Sequence, residues 1–176
     1  SGGLDSALVA TLAAIALGPE AVHGICMPSR YSSSGSLDDA RDLAARLGMV
    51  HLHEIGIDPI HEALRQSLQP ALGEVAGVTD ENLQARARGV LLMGLANAQG
   101  LLPLATGNKS ELAVGYSTLY GDMCGALLPL GDVFKSKCYE LAVHINRHPQ
   151  RFGFEEPPLP ENTITKPPSA ELRPDQ

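Results

Sequence analysis

The chain has 176 residues and a formal charge of −7, with 13 basic and 20 acidic side chains. An apolar fraction of 44% is typical of a globular domain and excludes a disordered chain. The acidic balance and the lack of tryptophan argue against a nucleic-acid-binding surface, and the longest apolar run, residues 7–17, is too short to cross a membrane.

The three cysteines, Cys26, Cys124 and Cys138, are odd in number and far apart in the sequence. No two of them form a CxxC pair, so their spacing disfavours a zinc site or a disulfide framework. We therefore predict a cytoplasmic protein that keeps its thiols reduced.

The first half of the chain alternates helical and strand patterns. Apolar residues at three- and four-residue spacing predict helices over 5–17 and 37–47. Gly18 and Gly48 close these helices, and Ser36 is the predicted N-cap of the second. Short apolar or alternating runs predict strands over 21–27 and 49–55, with a serine-rich loop over 28–35. Asp58 and Pro59 open a further helix, as cap and first helical residue.

The second half continues the alternation up to a proline-rich tail. The predicted elements are a long helix over 79–99, strands over 101–106 and 126–130, and a helix over 136–147. Seven of the 13 prolines lie in the last 28 residues, which predicts an extended tail that is not a packed element. We therefore divide the chain into a core, 1–148, and a proline-rich tail of the same domain, 149–176.

Strands that alternate with helices predict an α/β fold, in which an open parallel sheet carries helices on both faces. Ligands bind such sheets beyond the carboxyl ends of the strands. Chemistry is therefore expected where predicted strands end, and at the first residues of the chain.

The opening Ser1-Gly2-Gly3-Leu4-Asp5-Ser6 comes directly before a helix. Its glycines leave successive N–H groups open, and with the helix N-terminus these groups form an anion nest suited to phosphates. The carboxylate of Asp5 fits such a nest if a cation lies between them, so we predict Asp5 as a Mg²⁺ ligand. The alternative is a glycine-rich turn in which serine and aspartate only cap the helix.

A second polar turn, Thr106 to Glu111, follows a predicted strand. Glu111 can join Asp5 on the metal if the two turns meet at the same edge of the sheet. The alternative is a carboxylate that is merely favoured by the N-terminus of its own helix.

The opening block SGGLDS resembles the signature of the N-type ATP pyrophosphatases, the PP-loop family. Five further blocks resemble the NAD synthetase family, in particular its glutamine-dependent long form. They are MPSRYSS at Met27, ENLQARARG at Glu81, TGNKSELAVGYSTLYGD at Thr106, GDVFK at Gly131 and KPPSAELRPDQ at Lys166. Leu119 stands where the short, ammonia-dependent form has a lysine, which also favours the long form.

This resemblance implies a Rossmann-like fold of the adenine nucleotide alpha hydrolase type and an ATP-dependent ligase. The nicotinate carboxylate of deamido-NAD would be adenylated, with release of pyrophosphate, and ammonia would then displace AMP to give NAD. Ammonia would come from solution or from a glutaminase domain that precedes Ser1. The resemblance also implies a homodimer.

The resemblance implies that 1–148 is the PP-loop NAD synthetase domain and that 149–176 is its substrate-site tail. It also assigns roles residue by residue. Catalysis falls to Asp5, Glu111 and Lys135, and the metal ligands are Asp5 and Glu111. ATP would contact Ser1, Gly2, Gly3, Leu4, Asp5, Ser6, Met27, Thr106, Lys135 and Ser169. Deamido-NAD would contact Asn82, Arg86, Glu111 and Asp122.

The spacing of Asn82, Arg86 and Gly89 puts these residues on one face of the long helix, where Gly89 permits the close approach of a partner segment. Arg88 points elsewhere, and we predict that it faces solvent. The six histidines match no block of the family, and we predict that His51 and His53 are half-buried or solvated without a metal.

In the family fold a central strand leads directly into the SGGLDS block, so we expect the chain to be part of a longer product. Without that strand we predict that the 176 residues alone are poorly stable or inactive. Two other functions stay open: another PP-loop amidotransferase, GMP synthetase-like or tRNA-modifying, and a non-catalytic nucleotide-binding module. The segment from TGNKSE to YGD argues against the first, and the pair Asp5 and Glu111 against the second.

Overall fold

The computed structural model describes residues 3–169 and 171–173. Seven α-helices are present within them: α1 Leu4–Leu17, α2 Ser34–Leu47, α3 Asp58–Leu72, α4 Val78–Gln99, α5 Lys109–Val114, α6 Lys135–Arg147 and α7 Glu161–Thr165. The two strands are β1 His23–Cys26 and β2 His51–Glu54, and the short 3₁₀ helices are Pro19–Ala21 and Pro149–Phe152. Helices and strands therefore alternate through the first half of the chain, as predicted.

The sheet is parallel but smaller than predicted. β1 pairs with β2 in parallel, from His23 opposite His51 to Cys26 opposite Glu54. The predicted strands over 101–106 and 126–130 are wrong as strands, since they form only one isolated parallel bridge, between Leu104 and Leu127. Pro103 has no N–H group, which removes a donor from the ladder on one side of this bridge.

Two helix starts differ from the prediction. Ser33, rather than Ser36, is the N-cap of α2, because its hydroxyl accepts a hydrogen bond from the Ser36 N–H at 3.2 Å. Ile57 occupies the N-cap position of α3, while the Asp58 carboxylate accepts from the Arg30 N–H at 3.1 Å. The predicted end of α2 is confirmed, since Gly48 adopts the left-handed conformation with φ 73°.

The core is built on α1, which packs against α2, α6 and α7. This helix is apolar on most of its circumference, as a helix covered on several sides must be. Leu8 of α1 and Ile145 of α6 are completely buried. Burial of such a side chain stabilises the fold by about 1.5–3 kcal/mol, and the N-terminus of α1 is thereby held in a fixed place.

The proline-rich tail is packed, contrary to the prediction. Pro149, Pro158, Leu159 and Thr163 are buried, and α7 contacts both α1 and α6. The Asn146 amide holds Leu159 from both sides, donating to its carbonyl at 2.7 Å and accepting from its N–H at 3.0 Å. Proline excludes regular pairing, but it does not exclude burial of an irregular segment that has its own side-chain partners.

An apolar cleft of about 320 Å³ lies between α1, β1 and the segment Leu101 to Leu104. Within the described residues, β1 has β2 as its single strand partner. The central strand of the family fold stays a prediction. No helix in the described part of the chain has the length and apolar character needed to cross a membrane.

Candidate active site

A cavity of about 720 Å³ collects residues that are far apart in the sequence. It lies beyond the carboxyl end of β1 and beside the N-terminus of α1, where an open parallel sheet places its ligands. Ten of the predicted site residues line it: Gly3, Leu4, Asp5, Ser6, Met27, Thr106, Glu111, Asp122, Lys135 and Ser169. Ser1 and Gly2 lie outside the described residues, and Asn82 and Arg86 do not line the cavity.

Asp5 and Lys135 form a close ion pair in this cavity. The Lys135 Nζ lies 2.6 Å from Asp5 Oδ2, and the Asn108 amide donates to the same oxygen at 3.3 Å. The other oxygen, Asp5 Oδ1, is buried and has no hydrogen-bond partner among the described residues. A buried carboxylate oxygen without a donor is costly, so this atom is suited to a cation.

Glu111 lies in the first turn of α5 and closes a capping box with Asn108. The Glu111 carboxylate accepts from the Asn108 N–H at 3.0 Å, and the Asn108 side chain accepts from the Glu111 N–H at 3.1 Å. Burial raises the pKa of Glu111, and the negative charges of Asp5 and Asp122 raise it further, against the Asn108 hydrogen bond and the charge of Lys135. Glu111 therefore caps its helix, while burial and the two nearby carboxylates disfavour its charged form.

The donor set of the cavity fits a hard divalent cation. Within 3–169 and 171–173, no group of three or more His, Cys, Asp or Glu side chains is arranged around one point. Mg²⁺ needs no such group, because it commonly binds one or two carboxylates and takes its other ligands from water and substrate phosphates. Asp5 and Glu111, with the orphaned Oδ1 of Asp5, match this pattern.

The N-terminus of α1 opens into the cavity. Gly3 is the N-cap residue in an extended conformation, and no side chain caps the helix in the described structure. The first N–H groups of an uncapped helix attract anions. The phosphate nest itself stays a prediction, because Ser1 and Gly2 lie outside the described residues.

Arg88 lines the cavity, so the prediction that it faces solvent is wrong. Its Nε donates to the Met27 carbonyl at 3.0 Å. Burial lowers the pKa of the guanidinium, and the charges of Glu171 and Asp58 oppose that effect. The spacing of two residues correctly predicts that Arg86 and Arg88 lie on different sides of α4, but Arg86 is the exposed one.

The predicted common face of α4 is confirmed, and it binds the segment 118–124. Asn82 accepts from the Thr118 hydroxyl at 2.8 Å, and Arg86 donates to the Leu119 carbonyl at 3.3 Å. Gly89 faces the backbone of Tyr120 so closely that a Cβ there would lie 2.6 Å from its carbonyl oxygen. The contacts of Asn82 and Arg86 with deamido-NAD stay a prediction.

The tail closes one side of the cavity through charged contacts. Lys166 Nζ lies 2.6 Å from Asp39 Oδ2, and the Glu171 carboxylate accepts from the hydroxyls of Ser33 and Ser36 at 2.7 Å each. Burial would raise the pKa of Asp39, but hydrogen bonds from Asn162 and Lys166 and the charge of Lys166 hold it below its usual value. The sequence assigned no role to these pairs, because each joins residues more than a hundred positions apart.

The histidines lie elsewhere. All six are described, and none lines the cavity. His23 stacks on His51 with ring centroids 4.0 Å apart, and His61 is buried with its Nε2 2.9 Å from Asp80 Oδ1. His53 is half-buried and His51 is exposed, so the burial of both agrees with the prediction.

Comparisons with known proteins agree on one family. A family model described as NAD synthase matches residues 1–176. A curated glutamine-dependent NAD(+) synthetase of Acinetobacter baylyi is 52% identical over 100% of this chain, which spans 32% of that relative. The chain thus spans about a third of the length of such relatives.

Two solved structures share the fold. A glutamine-dependent NAD+ synthetase from Acinetobacter baumannii in complex with ADP superposes with a TM-score of 0.89 and 47% identity, over 97% of this chain and 31% of its own. An NMN synthetase from Francisella tularensis gives a TM-score of 0.84 and 30% identity, over 100% of this chain and 66% of its own. These likenesses confirm the predicted Rossmann-like α/β fold.

Proposed function

This chain belongs to the NAD synthase family, and we propose that it is the part of a larger ligase that converts deamido-NAD to NAD with ATP and ammonia. The observation that carries the proposal is the meeting of Asp5, Glu111 and Lys135 in one cavity at the uncapped N-terminus of α1. Such a cavity joins an anion site to cation ligands, as a reaction between two polyphosphate substrates requires.

The proposed reaction has two steps. A carboxylate oxygen of the nicotinate group attacks the α-phosphorus of ATP, and pyrophosphate leaves with the electron pair of the broken P–O bond. The nitrogen of ammonia then attacks the carbonyl carbon of the mixed anhydride, loses a proton, and expels AMP. Both steps depend mainly on positioning and on neutralising phosphate charge.

The residues of the cavity divide this work. The N-terminus of α1, with Gly3 and Ser6, holds the departing pyrophosphate. Lys135 lines the cavity as the ion-pair partner of Asp5, and its ammonium group turns to a phosphate oxygen of ATP when the nucleotide binds. Asp5 and Glu111 would hold Mg²⁺, which when bound would neutralise charge on the phosphates. Thr106, Met27 and Ser169 line the remaining walls on the ATP side.

Ammonia is proposed to come from glutamine by way of another domain of the whole protein. The names of the curated relatives include glutamine dependence, and this chain spans about a third of their length. A cysteine glutaminase needs a reactive thiolate. Cys138 does not provide one, because burial raises the pKa of its thiol to about 11.

A homodimer in a reducing compartment is proposed for the whole protein. Val90 and Met93 of α4 are exposed apolar side chains, and so are Leu119, Tyr120 and Met123 of the segment packed on that helix. A second copy of this surface would cover them. The three cysteines are free, which suits the cytoplasm.

The test is pyrophosphate exchange into ATP by the full-length protein, with and without deamido-NAD. We expect exchange only with deamido-NAD, and we expect Asp5→Asn and Glu111→Gln to abolish it while the proteins stay folded. Asp132→Asn is the matched control, because this carboxylate is 94% exposed, lies outside the cavity and pairs only with Lys109 among the described residues.

Each other result points to a different function. Exchange with xanthosine monophosphate would indicate a GMP synthetase-like enzyme. Exchange with nicotinate mononucleotide alone would indicate a substrate of half the size, as in an NMN synthetase. No exchange with any acceptor, despite ATP binding, would leave a nucleotide-binding module.

A further inference from the structure

We propose that Asn108 is a positioning residue that sets the two acidic side chains of the cavity for one cation. This inference rests on the proposed function, since it concerns how Asp5 and Glu111 are presented to Mg²⁺. Asn108 has no place among the residues predicted from the sequence. It is completely buried, although asparagine is usually exposed.

Asn108 uses three of its hydrogen-bonding groups on these carboxylate-bearing residues. Its side-chain oxygen accepts from the Glu111 N–H at 3.1 Å, and its own N–H donates to Glu111 Oε2 at 3.0 Å. Its amide nitrogen donates to Asp5 Oδ2 at 3.3 Å, across 103 positions of sequence. One side chain therefore ties the first turn of α5 to the first turn of α1.

The contact with Asp5 occupies one oxygen of that carboxylate and leaves the other without a donor. Asn108 and Lys135 both donate to Oδ2, and Oδ1 keeps no partner among the described residues. Ser110 of the same turn accepts from the Lys135 N–H at 3.1 Å, so the start of α6 is fixed to the same place. The donors on Oδ2 restrain the carboxylate and keep Oδ1 available for a metal ion.

A plain helix cap would explain only half of this geometry. Capping α5 requires the side-chain oxygen of Asn108, whereas the amide donor to Asp5 adds nothing to the cap. Serine and glycine are also accepted N-cap residues, and neither reaches Asp5 with an amide. Asn108→Ser and Asn108→Gly therefore separate the two roles.

The experiment measures Mn²⁺ binding to the full-length protein by the EPR signal of free Mn²⁺, with the metal alone as probe. Groups that orient metal ligands typically change metal affinity about 10- to 100-fold when they are lost. We expect about tenfold weaker binding in both variants, and a lower kcat for pyrophosphate exchange at saturating ATP. Thermal denaturation checks that the variants stay folded.

Asn146→Ser is the matched control. Asn146 also makes two hydrogen bonds through its amide group, both to the backbone of Leu159, and it lies outside the cavity. We expect this variant to lose thermal stability while its Mn²⁺ affinity stays within twofold of the wild type.

Three outcomes would overturn the inference: unchanged Mn²⁺ affinity in both Asn108 variants, no Mn²⁺ binding by the wild type, or failure of both variants to fold. The last would show that the side chain serves only the architecture. The proposed function is judged separately, from exchange by the wild type. A wild type that binds Mn²⁺ through Asn108-dependent carboxylates but shows no deamido-NAD-dependent exchange would refute the function and leave this inference standing.

Discussion

Gly89 offers a sharp test of how α4 meets the segment 118–124. A Cβ at this position would lie 2.6 Å from the Tyr120 carbonyl oxygen, 3.0 Å from Cys124 Sγ and 3.3 Å from the Gly121 carbonyl oxygen. The nearest atom belongs to the backbone, so it cannot rotate away as a flexible side chain can. Gly89→Ala must therefore push the segment off the helix.

The size of the effect follows from two opposing contributions. Alanine is favoured over glycine inside a helix by about 1 kcal/mol. Overpacking of a close contact costs about 1–3 kcal/mol. Gly94 lies in the same helix, and a Cβ there would meet nothing within 4 Å. Gly94→Ala should thus be more stable than the wild type by about 1 kcal/mol, and Gly89→Ala unchanged or less stable by up to about 2 kcal/mol.

The assay compares the thermal denaturation of the two variants in the full-length protein. A difference of 1 kcal/mol moves Tm by about 2–4 °C in a domain of this size, so the two midpoints should differ by roughly 2 to 12 °C. A Gly89→Ala midpoint equal to or above that of Gly94→Ala would refute the reasoning, because the segment would then not touch the helix as described.

Two further predictions concern titratable groups. Because burial raises the pKa of Glu111, the folded protein binds its proton more tightly than the unfolded chain, and the charged form costs stability above the ordinary value of 4.5. Glu111→Gln keeps an acceptor for the capping box and removes the charge, so we expect its Tm to exceed that of the wild type at pH 7.5. This gain should shrink as the pH falls toward 4.5. A Tm below that of the wild type at pH 7.5 would contradict the prediction. Cys138 is buried, and burial raises the pKa of its thiol to about 11, whereas Cys124 is partly exposed. We therefore expect Cys138 to react with a thiol reagent at pH 8 far more slowly than Cys124, as measured by peptide mass mapping. Equal labelling of the two cysteines would contradict the described burial.

Local patterns in the sequence were sufficient for most helices. α2 and α6 each have an apolar face at helical spacing; α6 begins one residue before its predicted start, and α2 begins three residues before its own. α4 was predicted to within one residue, since Gly100 ends it in the left-handed conformation. Helix faces and glycine caps depend on residues that are close in the sequence, so they can be predicted from it.

Features that depend on distant partners were predicted poorly. A strand exists only where another strand pairs with it, and the segments around Leu104 and Leu127 make just one bridge. α5 has six residues, too few for a periodic pattern, and the capping box of Asn108 and Glu111 was its one local signal. The tail was misjudged because its burial depends on Asn146 and on α1 and α6.

The two arginines of α4 show what residue spacing alone does not predict. A spacing of two puts Arg86 and Arg88 on different sides of the helix, and the sequence gives that much. Which side is inside depends on the apolar stripe, and α4 buries small and polar residues, including Ala85, Gln84 and Ala87, together with Leu83. Without a clear stripe, the buried arginine and the exposed one cannot be told apart from the sequence.

The lysines show what the structure adds to a prediction made from the sequence. All four are ion-paired, with Asp132, Asp5, Glu140 and Asp39 as partners of Lys109, Lys135, Lys137 and Lys166. Pairing alone therefore does not identify a functional cation, and exposed pairs contribute little to stability. Burial and position distinguish the four lysines better. The side chains of Lys135 and Lys166 are each 26% exposed and line the cavity. The side chains of Lys109 and Lys137 are 40% and 62% exposed and lie outside it. Under the proposed function, Lys135 and Lys166 are the two lysines placed to meet a phosphate, and each lies beside a carboxylate in this acidic chain.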